Sequence, residues 1–169
     1  MSRTLIIGGA RSGKSAYAKS LAERAAAARI FIATAERTDA EMRERIARHR
    51  HERDQSWLTV EEPLELVDAI AAHAERQRSV LVDCLTLWLS NLMHHERDVA
   101  NATAALVSCL ASTDGHIVLV SNEVGLGLVP DTPLGRAFRD AQGRLNQDIA
   151  AVCDHVYLVT AGLPVALKP

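Results

Sequence analysis

The sequence lacks any long apolar run and has few residues that break regular structure. No stretch approaches the roughly eighteen consecutive apolar residues that a membrane-spanning helix needs, and only 5 of the 169 residues are proline. Hydrophobic residues nevertheless make up 48% of the chain, which is typical of a compact globular protein. The composition therefore excludes a membrane span.

The N-terminus also lacks the pattern of a secretory leader. A glycine-rich turn begins at Gly8, where a leader would have an apolar segment after a charged one. We therefore expect a cytoplasmic protein. Only three cysteines occur, Cys84, Cys109 and Cys153, and no two of them form a CxxC pair. They are interpreted as small buried side chains in a reducing compartment.

Strong charge of either sign is missing as well. The formal net charge is -2, so the chain has no large basic field for nucleic acid or an anionic membrane. Nucleic-acid binding is therefore not expected. The sequence shows no internal repeat, low-complexity tract or linker, and its length suits one domain that spans residues 1–169.

The most informative stretch lies between an apolar run, Thr4 to Ile7, and a helix-forming run that starts near Ala16. It has the P-loop spacing, with glycines at the first and sixth positions followed by lysine and serine, and it reads Gly8, Gly9, Ala10, Arg11, Ser12, Gly13, Lys14, Ser15. In such a loop backbone N–H groups bind phosphate oxygens, the lysine reaches the β- and γ-phosphates, and the serine hydroxyl suits Mg²⁺. The pattern predicts a nucleoside triphosphate site.

Apolar β-like runs and helix-like runs alternate along the rest of the chain. The β-like runs after the first are 29–35, 57–60, 79–83, 116–120 and 155–159, and the helix-like segments are 39–53, 64–74 with Pro63 in the first turn, 85–92, 97–112 and 132–153. This alternation predicts an α/β fold with a mainly parallel sheet and helices on both faces. Because ligands gather at the carboxyl ends of parallel strands, we expect Ala33, Thr34 and Ala35 near the phosphate turn.

Segment 39–53 is dense in charge, and its end reads Arg48, His49, Arg50, His51, Glu52, Arg53. A histidine between arginines can act as a nucleophile toward phosphorus, with the guanidinium groups stabilising the transition state. The alternative is a solvated helix face with ion pairs such as Glu44 with Arg48. Spacing alone leaves both interpretations open.

Acidic and amide residues follow two of the buried β-like runs. Asp83 ends one run, which suits a Walker B carboxylate that holds Mg²⁺, although a cap of the next helix is the alternative. Asn122 and Glu123 end another run at the same predicted edge, so we favour a role in the site. Arg136 and Arg139 lie on the following helix, where surface ion pairs are the structural alternative.

Together these residues resemble the bifunctional adenosylcobinamide kinase/adenosylcobinamide-phosphate guanylyltransferase family of cobalamin biosynthesis. The resemblance spans nearly the whole chain. Beyond the P-loop it rests on 32–35, 39–49, Trp57-x-Thr59-x-Glu61, 83–88, Ser121 to Pro130, and Arg136-x-Phe138-Arg139-Asp140-x-x-Gly143-Arg144-x-Asn146-Gln147. The last two stretches are specific to the family, whereas a P-loop alone is not.

The resemblance implies two consecutive reactions. Adenosylcobinamide is first phosphorylated by a nucleoside triphosphate, ATP or GTP, with Mg²⁺. GTP then gives GMP to an enzyme histidine, and that GMP passes to adenosylcobinamide phosphate. By register the histidine is His49, with His51 two positions further on. Arg50, His51, Glu52 and Arg53 are implied to bind the nucleotide beside it, as are the acids Glu61 and Asp83.

The resemblance further implies a RecA-like P-loop NTPase core and a homo-oligomer, which is expected to be a homotrimer. Two other interpretations of the P-loop stay open at this stage. One is a regulatory nucleotide-binding module in which the glycines at 125 and 127 form a switch loop. The other is a kinase that acts on a different small alcohol.

Overall fold

A computed structural model describes residues 1–36 and 56–169. Seven strands form one sheet: β1 (Ser2–Gly8), β2 (Ala28–Ala33), β3 (Trp57–Glu61), β4 (Arg78–Asp83), β5 (His116–Asn122), β6 (His155–Thr160) and β7 (Leu163–Lys168). Five helices belong to the same described ranges: α1 (Lys14–Ala25), α2 (Leu66–His73), α3 (Leu85–His94), α4 (Val99–Ser112) and α5 (Pro133–Val152). The predicted α/β class is confirmed.

The strand order is β3-β2-β4-β5-β1-β6-β7. All neighbouring pairs are parallel except β6 and β7, which are antiparallel. The parallel arrangement explains why most central strands are continuous apolar runs, since helices cover both faces. In β4 and β5, for example, Val80 to Val82 and Ile117 to Val120 are all buried.

The two faces of the sheet carry different cores. On one face α1 packs through Ala18 and Ala22 against Ile6, Val118 and Val120. On the other face α2 to α5 enclose a larger core around Trp88, Leu89, Leu106, Leu145 and Ile149. Within the described ranges the prediction of helices on both faces is therefore confirmed, with one helix on the first face and four on the second.

Two helix starts follow from local capping. Asp98 precedes α4 and accepts a hydrogen bond from Asn101 N at 3.0 Å. Thr132 precedes α5 and accepts one from Gly135 N at 3.1 Å, with Pro133 at the first position of the helix. Both helices were predicted from the sequence, and α5 ends one residue before the expected Cys153.

The prediction for α2 was wrong at its start. Pro63 does not lie in the first turn, because the helix begins at Leu66. The Glu62 carboxylate accepts hydrogen bonds from Leu64 N at 3.1 Å and Glu65 N at 2.9 Å. Residues 62–65 therefore form a separate turn. Its hydrogen bonds use the N–H groups of Leu64 and Glu65, which would lie in the first turn of a helix that began at Leu64.

Strand β7 is not predicted by the sequence, in which the run that ends at Val159 is the last β-like segment. A tight turn at Ala161 and Gly162 reverses the chain, and both residues have positive φ, 52° and 80°. Two central residues with positive φ are typical of the turns that join antiparallel strands. Pro164 is tolerated there because β7 is an edge strand.

Candidate functional site

The phosphate-binding loop joins β1 to α1 at the carboxyl edge of the sheet. Its backbone turns through Arg11 with φ 56° and Gly13 with φ 94°, and Ser12 N donates to Gly9 O at 3.3 Å. Gly13 precedes α1 without any side-chain cap. The N–H groups of the first helical turn are therefore available to an anion, which the helix dipole also favours.

Two glycines of this loop are required by close packing. A Cβ on Gly8 would lie 2.5 Å from Ser12 Oγ and 2.6 Å from Val159 O. A Cβ on Gly13 would lie 3.0 Å from Gly162 Cα, in a backbone conformation that L side chains rarely adopt. The glycine spacing that the sequence analysis used as a motif is thus explained by the contact between the loop and β6–β7.

The turn between β6 and β7 contacts the phosphate-binding loop. Gly162 N donates to Ser12 O at 2.8 Å. This contact connects the C-terminal hairpin, which the sequence analysis did not predict, to the middle of the motif. The hairpin therefore helps to fix the loop conformation.

Lys14 is placed where the motif predicts a phosphate-binding cation. Its Nζ donates to Gly9 O at 3.2 Å across the loop. A neutral carbonyl is a weak partner for an ammonium group compared with a phosphate oxygen. The side chain can therefore exchange this contact for a phosphate at small cost, while Ser15 follows on the first turn of α1.

Asp83 ends β4, where it pairs in register with Ala33 on β2 and Val120 on β5. The residue that precedes α3 is Cys84, and no side chain caps that helix. The alternative interpretation of Asp83 as a helix cap is therefore excluded. Among the residues that the structure describes, no hydrogen bond or ion pair holds the Asp83 carboxylate.

Electrostatic effects on Cys84 connect Asp83 with Lys14. The pKa of the Cys84 thiol is raised to about 11, mainly by burial and then by the Asp83 carboxylate, while backbone hydrogen bonds and the Lys14 ammonium lower it. One buried thiol thus responds to both charges. Asp83 ends β4 and Lys14 follows β1, so both lie at the carboxyl edge of the sheet, with β5 between their strands.

The structure places Ala33, Thr34 and Ala35 beside Asp83 and not at the phosphate turn. Two strands, β4 and β5, separate β2 from β1. Thr34 is fully buried, and its Oγ1 donates to Cys84 O at 2.7 Å and accepts from Cys84 N at 2.8 Å. Thr34 therefore holds the backbone that follows Asp83, and the expected proximity to the phosphate turn was wrong.

Glu61 ends β3 and is paired in register with Ala33, which is itself paired with Asp83. Glu61 and Asp83 therefore lie two strands apart at the same edge, about 10 Å at the usual strand spacing. Glu61 is exposed. The two acids that the family resemblance assigned to the nucleotide site thus share an edge without direct contact.

The hard oxygen donors near the loop fit a magnesium ion carried by a nucleotide. Ser15 offers a hydroxyl, and Asp83 a carboxylate without a protein partner in the described ranges. No group of three or more His, Cys, Asp or Glu residues within 1–36 and 56–169 could hold a metal. One or two protein ligands plus phosphate oxygens and waters are the usual arrangement for Mg²⁺ in phosphoryl-transfer sites.

A buried amide cluster supports the end of β5. Gln142 Nε2 donates to Ser121 Oγ and to Asn146 Oδ1, both at 2.9 Å, and Ser121 Oγ donates to Asn146 Oδ1 at 2.6 Å. Asn146 Nδ2 donates to Asn122 O at 3.1 Å, and Asn122 N donates to Thr86 Oγ1 at 2.8 Å. The cluster fixes the strand end from which Asn122 and Glu123 emerge.

The roles of Gln142 and Thr86 in this cluster are not predicted by the sequence. The one available signal was the spacing of Gln142 and Asn146, two amides four residues apart on the core-facing side of a predicted helix. Asn122 itself keeps a buried Oδ1 without a partner among the described residues.

Glu123 connects β5 to the phosphate-binding loop. Its N–H donates to Gly8 O at 3.2 Å, and its Oε1 accepts from Leu126 N at 3.2 Å and from Gly125 N. The carboxylate thus shapes the glycine loop. Arg136 instead donates to Pro130 O at 3.0 Å and Asp131 O at 2.7 Å, so it fastens the start of α5. Arg139 lies one turn further along the same helix.

The nucleophile predicted from the sequence falls outside the described residues. This applies to His49, Arg50, His51, Glu52 and Arg53, and to the whole charged segment at 39–53.

The sheet topology and the loop define the class of protein, a P-loop NTPase with a RecA-like α/β core. Solved structures agree at the level of fold. The assembled ATPase EscN of the type III secretion system of enteropathogenic E. coli superposes with a TM-score of 0.59 at 13% identity, covering 95% of this chain and 43% of that one. A protein of Pyrococcus horikoshii OT3 superposes with a TM-score of 0.57 at 9% identity, covering 99% of this chain and 86% of that one.

Sequence relationship narrows the class to one family. The family described as cobinamide kinase / cobinamide phosphate guanyltransferase matches residues 4–167. The bifunctional adenosylcobalamin biosynthesis protein CobP of Pseudomonas aeruginosa is 48% identical over 98% of this chain and 97% of its own length. CobU of Escherichia coli K12, described in the same words, is 36% identical over 97% of this chain and 98% of its own length. The chain belongs to this family, as its motifs predicted.

No helix in the described part of the chain is long and apolar enough to cross a membrane.

Proposed function

We propose that the chain catalyses both reactions for which its family is described: phosphorylation of adenosylcobinamide and transfer of GMP to the product. The observation that carries this proposal is a phosphate-binding loop with an uncapped helix N-terminus and Lys14, with Asp83 at the same edge of the sheet, in a chain that the family matches from residue 4 to 167. Such a loop binds the β- and γ-phosphates of a nucleotide.

In the kinase step a hydroxyl oxygen of the amino-propanol arm attacks the γ-phosphorus of ATP or GTP. The bond to the β,γ-bridging oxygen breaks, a nucleoside diphosphate leaves, and the hydroxyl proton passes to solvent. Residues Gly8 to Ser15 hold the phosphates by backbone N–H groups, and Lys14 neutralises charge that develops on the leaving group. Ser15 and Asp83 would hold a Mg²⁺ ion, which would supply positive charge against the charge of the phosphates.

In the transfer step a ring nitrogen of His49 attacks the α-phosphorus of GTP, and pyrophosphate leaves. A phosphate oxygen of adenosylcobinamide phosphate then attacks the same phosphorus, so that the N–P bond breaks and adenosylcobinamide-GDP forms. The assignment of His49 rests on family register. Arg50, His51, Glu52, Arg53 and Glu61 are proposed to surround the GMP, and Asn122, Glu123, Arg136 and Arg139 to face the cobinamide substrates.

We further propose a homotrimer that works in the cytoplasm, without nucleic acid as a partner. The homotrimer follows the family resemblance and is supported by the exposed apolar side chains of β7. The cytoplasmic location is supported by three cysteines that are all free, two of them buried.

A pair of labelled nucleotides tests the proposal. With γ-labelled ATP or GTP and Mg²⁺, label should appear in adenosylcobinamide phosphate. With α-labelled GTP alone, label should attach covalently to the protein and then pass to adenosylcobinamide phosphate when this is added. A kinase for another small alcohol would fail the first measurement, and a nucleotide-binding switch would fail both.

A further inference from the structure

A groove of about 470 Å³ lies between α5 and the β1–β6–β7 side of the sheet. One wall is apolar and includes Ile7, Ala150, Val156 and Leu167. The groove is in the size range of small-ligand pockets. None of its residues belongs to the phosphate-binding loop.

The groove lies across the sheet from α1 and yet reaches the phosphate-binding loop. Ile7 packs with the core of the α5 face, whereas α1 packs on the opposite face. Glu123 lines the groove, and its N–H donates to Gly8 O at 3.2 Å. A molecule that occupies the groove can therefore extend over the carboxyl edge toward phosphates held at α1, as an acceptor substrate must.

The polar wall of the groove offers hydrogen-bond acceptors. Gln142 lines it, but the Gln142 Oε1 is itself buried, so the acceptor that a ligand can reach is the Glu123 carboxylate. The Glu123 carboxylate lies at the loop end of the same wall. At the other end the Lys168 ammonium is already bound to the carbonyls of Ala150, Ala151 and Cys153. The wall therefore favours a neutral N–H donor and disfavours an anion.

The surface next to the groove is strongly apolar. The loop that continues from its lining residue Gly125 exposes Leu126 by 88% and Leu128 by 95%. Apolar side chains exposed to this extent beside a pocket are typical of an interaction site. The combined surface suits a large apolar body that carries small amide groups.

We propose that this groove binds a peripheral amide side chain of cobinamide, with the corrin macrocycle resting against Leu126 and Leu128. This inference rests on the proposed function and deepens it, since nothing in the motifs locates the corrinoid. A corrin ring is an apolar macrocycle surrounded by primary amides, whose N–H groups match the Glu123 carboxylate. The groove is too small for the whole macrocycle, so one amide arm enters it and the amino-propanol arm extends toward Lys14.

Filling the groove from α5 provides the first test. Gly143 lines the groove, and a Cβ there meets nothing within 4 Å. Gly143→Phe should weaken binding of dicyanocobinamide, measured by equilibrium dialysis with its visible absorbance, by about tenfold or more. Ala150→Phe blocks the other end and should act in the same way, which keeps the test decisive if one variant does not fold. Ala151→Phe adds the same bulk to an exposed neighbour and should bind normally.

GTP affinity is measured on the same samples by titration calorimetry and should be unchanged in all three variants. Normal cobinamide binding by folded Gly143→Phe and Ala150→Phe would overturn the groove assignment. If these two variants lose GTP binding and keep cobinamide binding, the groove would be assigned to guanine, which also carries N–H donors. If the unaltered protein binds GTP but no cobinamide, the proposed function itself fails, which is a different result.

A second measurement tests the chemical class. Hydrolysis of one peripheral amide of dicyanocobinamide gives a monocarboxylic acid. The isomer whose acid enters the groove would place an anion beside the Glu123 carboxylate, so at least one separated isomer should bind about tenfold more weakly. Equal affinity of every isomer would overturn the amide assignment.

Discussion

Lys14 is the residue whose surroundings best match its predicted role. Its ammonium contacts only the Gly9 carbonyl, at 3.2 Å, among the hydrogen bonds of the described chain. Lys14→Ala should therefore leave the fold intact and remove the cation that binds the phosphates. We expect kcat/KM of the kinase reaction to fall by about a hundredfold or more, because charge stabilisation in such sites is worth several kcal/mol. Label transfer from γ-labelled ATP measures it.

Lys19→Ala is a matched control on the same helix. Lys19 lies 3.7 Å from Glu23 in a surface ion pair, which contributes little to stability. Activity and melting temperature should both stay near those of the unaltered protein. Near-normal turnover by Lys14→Ala, with the same melting temperature as Lys19→Ala, would refute the assignment.

Asp83 should act through a metal. Asp83→Asn keeps the size of the side chain and removes its charge, and within residues 1–36 and 56–169 neither a helix cap nor a hydrogen bond is lost with it. We expect the Mg²⁺ concentration that gives half-maximal kinase activity to rise by about tenfold or more. An unchanged Mg²⁺ titration would leave Asp83 without a role in metal binding.

His49, and not His51, is predicted to receive GMP. Two positions along a helix rotate a side chain by about 200°, so in a helix the two histidines cannot face one site. With α-labelled GTP and Mg²⁺ we expect an acid-labile, alkali-stable protein adduct that His49→Asn abolishes and His51→Asn retains. Kinase activity should survive in both variants. The reverse labelling pattern would show that the register is wrong, and labelling of both would place the nucleophile outside this segment.

Residues were predictable from sequence where their role is local. The spacing from Gly8 to Ser15 is contained in eight consecutive residues, and the structure places them as the motif requires. Gln142 was missed because its partner Ser121 lies 21 positions away. Thr34 was expected in the wrong place because strand order, which puts β4 and β5 between β2 and β1, is not encoded locally.

At the scale of elements, hydrophobic runs predicted every strand except β7. That strand is exposed along its whole length, so it lacks the buried apolar run by which the others were identified. Its signal was a turn, Ala161 and Gly162, followed by alternating apolar residues. The start of α2 was misplaced for a comparable reason, since the Glu62 carboxylate forms a turn that competes with helix initiation.

The β6–β7 hairpin should affect nucleotide binding through its turn. Gly162 has φ 80° and donates its N–H to Ser12 O at 2.8 Å. Gly162→Val forces a β-branched residue into that conformation, so we expect the unfolding free energy to fall by about 1–3 kcal/mol. Because the turn supports the phosphate-binding loop, KM for GTP should rise as well. Urea unfolding and steady-state kinetics measure the two effects.

Gly115→Ala separates the two effects. Gly115 has φ 114° and precedes β5, at the amino end of the strands and away from the phosphate-binding loop. A Cβ there would lie 2.6 Å from Glu75 O. Stability should fall in this variant while KM for GTP stays the same. If Gly162→Val also changes stability alone, the hairpin does not support the loop.

At the scale of the whole molecule, the two faces of the sheet serve different purposes. The phosphate-binding loop and α1 lie on one face, and the amide cluster of α5 lies on the other. Glu123 is the connection between them, because it contacts Gly8 and begins the glycine loop. A nucleotide at the loop and an acceptor in the proposed groove would therefore approach one carboxyl edge from the two faces of the sheet.

The outer edge of this molecule is unusually apolar. In β7 Leu163 is exposed by 70%, Val165 by 55% and Leu167 by 59%. Edge strands of monomeric proteins are commonly protected by charge, and within β7 only Lys168 is charged. Burial of a valine or leucine side chain contributes about 1.5–3 kcal/mol. Contact of β7 with a different surface of the next subunit would give a cyclic assembly.

We predict that the homotrimer implied by the family resemblance forms through contacts that include β7. Light scattering after gel filtration should give about three times the chain mass of 18.4 kDa. Val165→Glu places a charge in the contact and should shift the protein toward the monomer. Leu58→Glu introduces the same charge at a residue exposed by 56% on β3, the opposite edge strand of the sheet, and should remain trimeric.

A trimeric Val165→Glu would move the contact away from β7, and a monomeric unaltered protein would refute the assembly. Because Leu167 also lines the groove of α5, loss of the trimer should weaken cobinamide binding more than GTP binding.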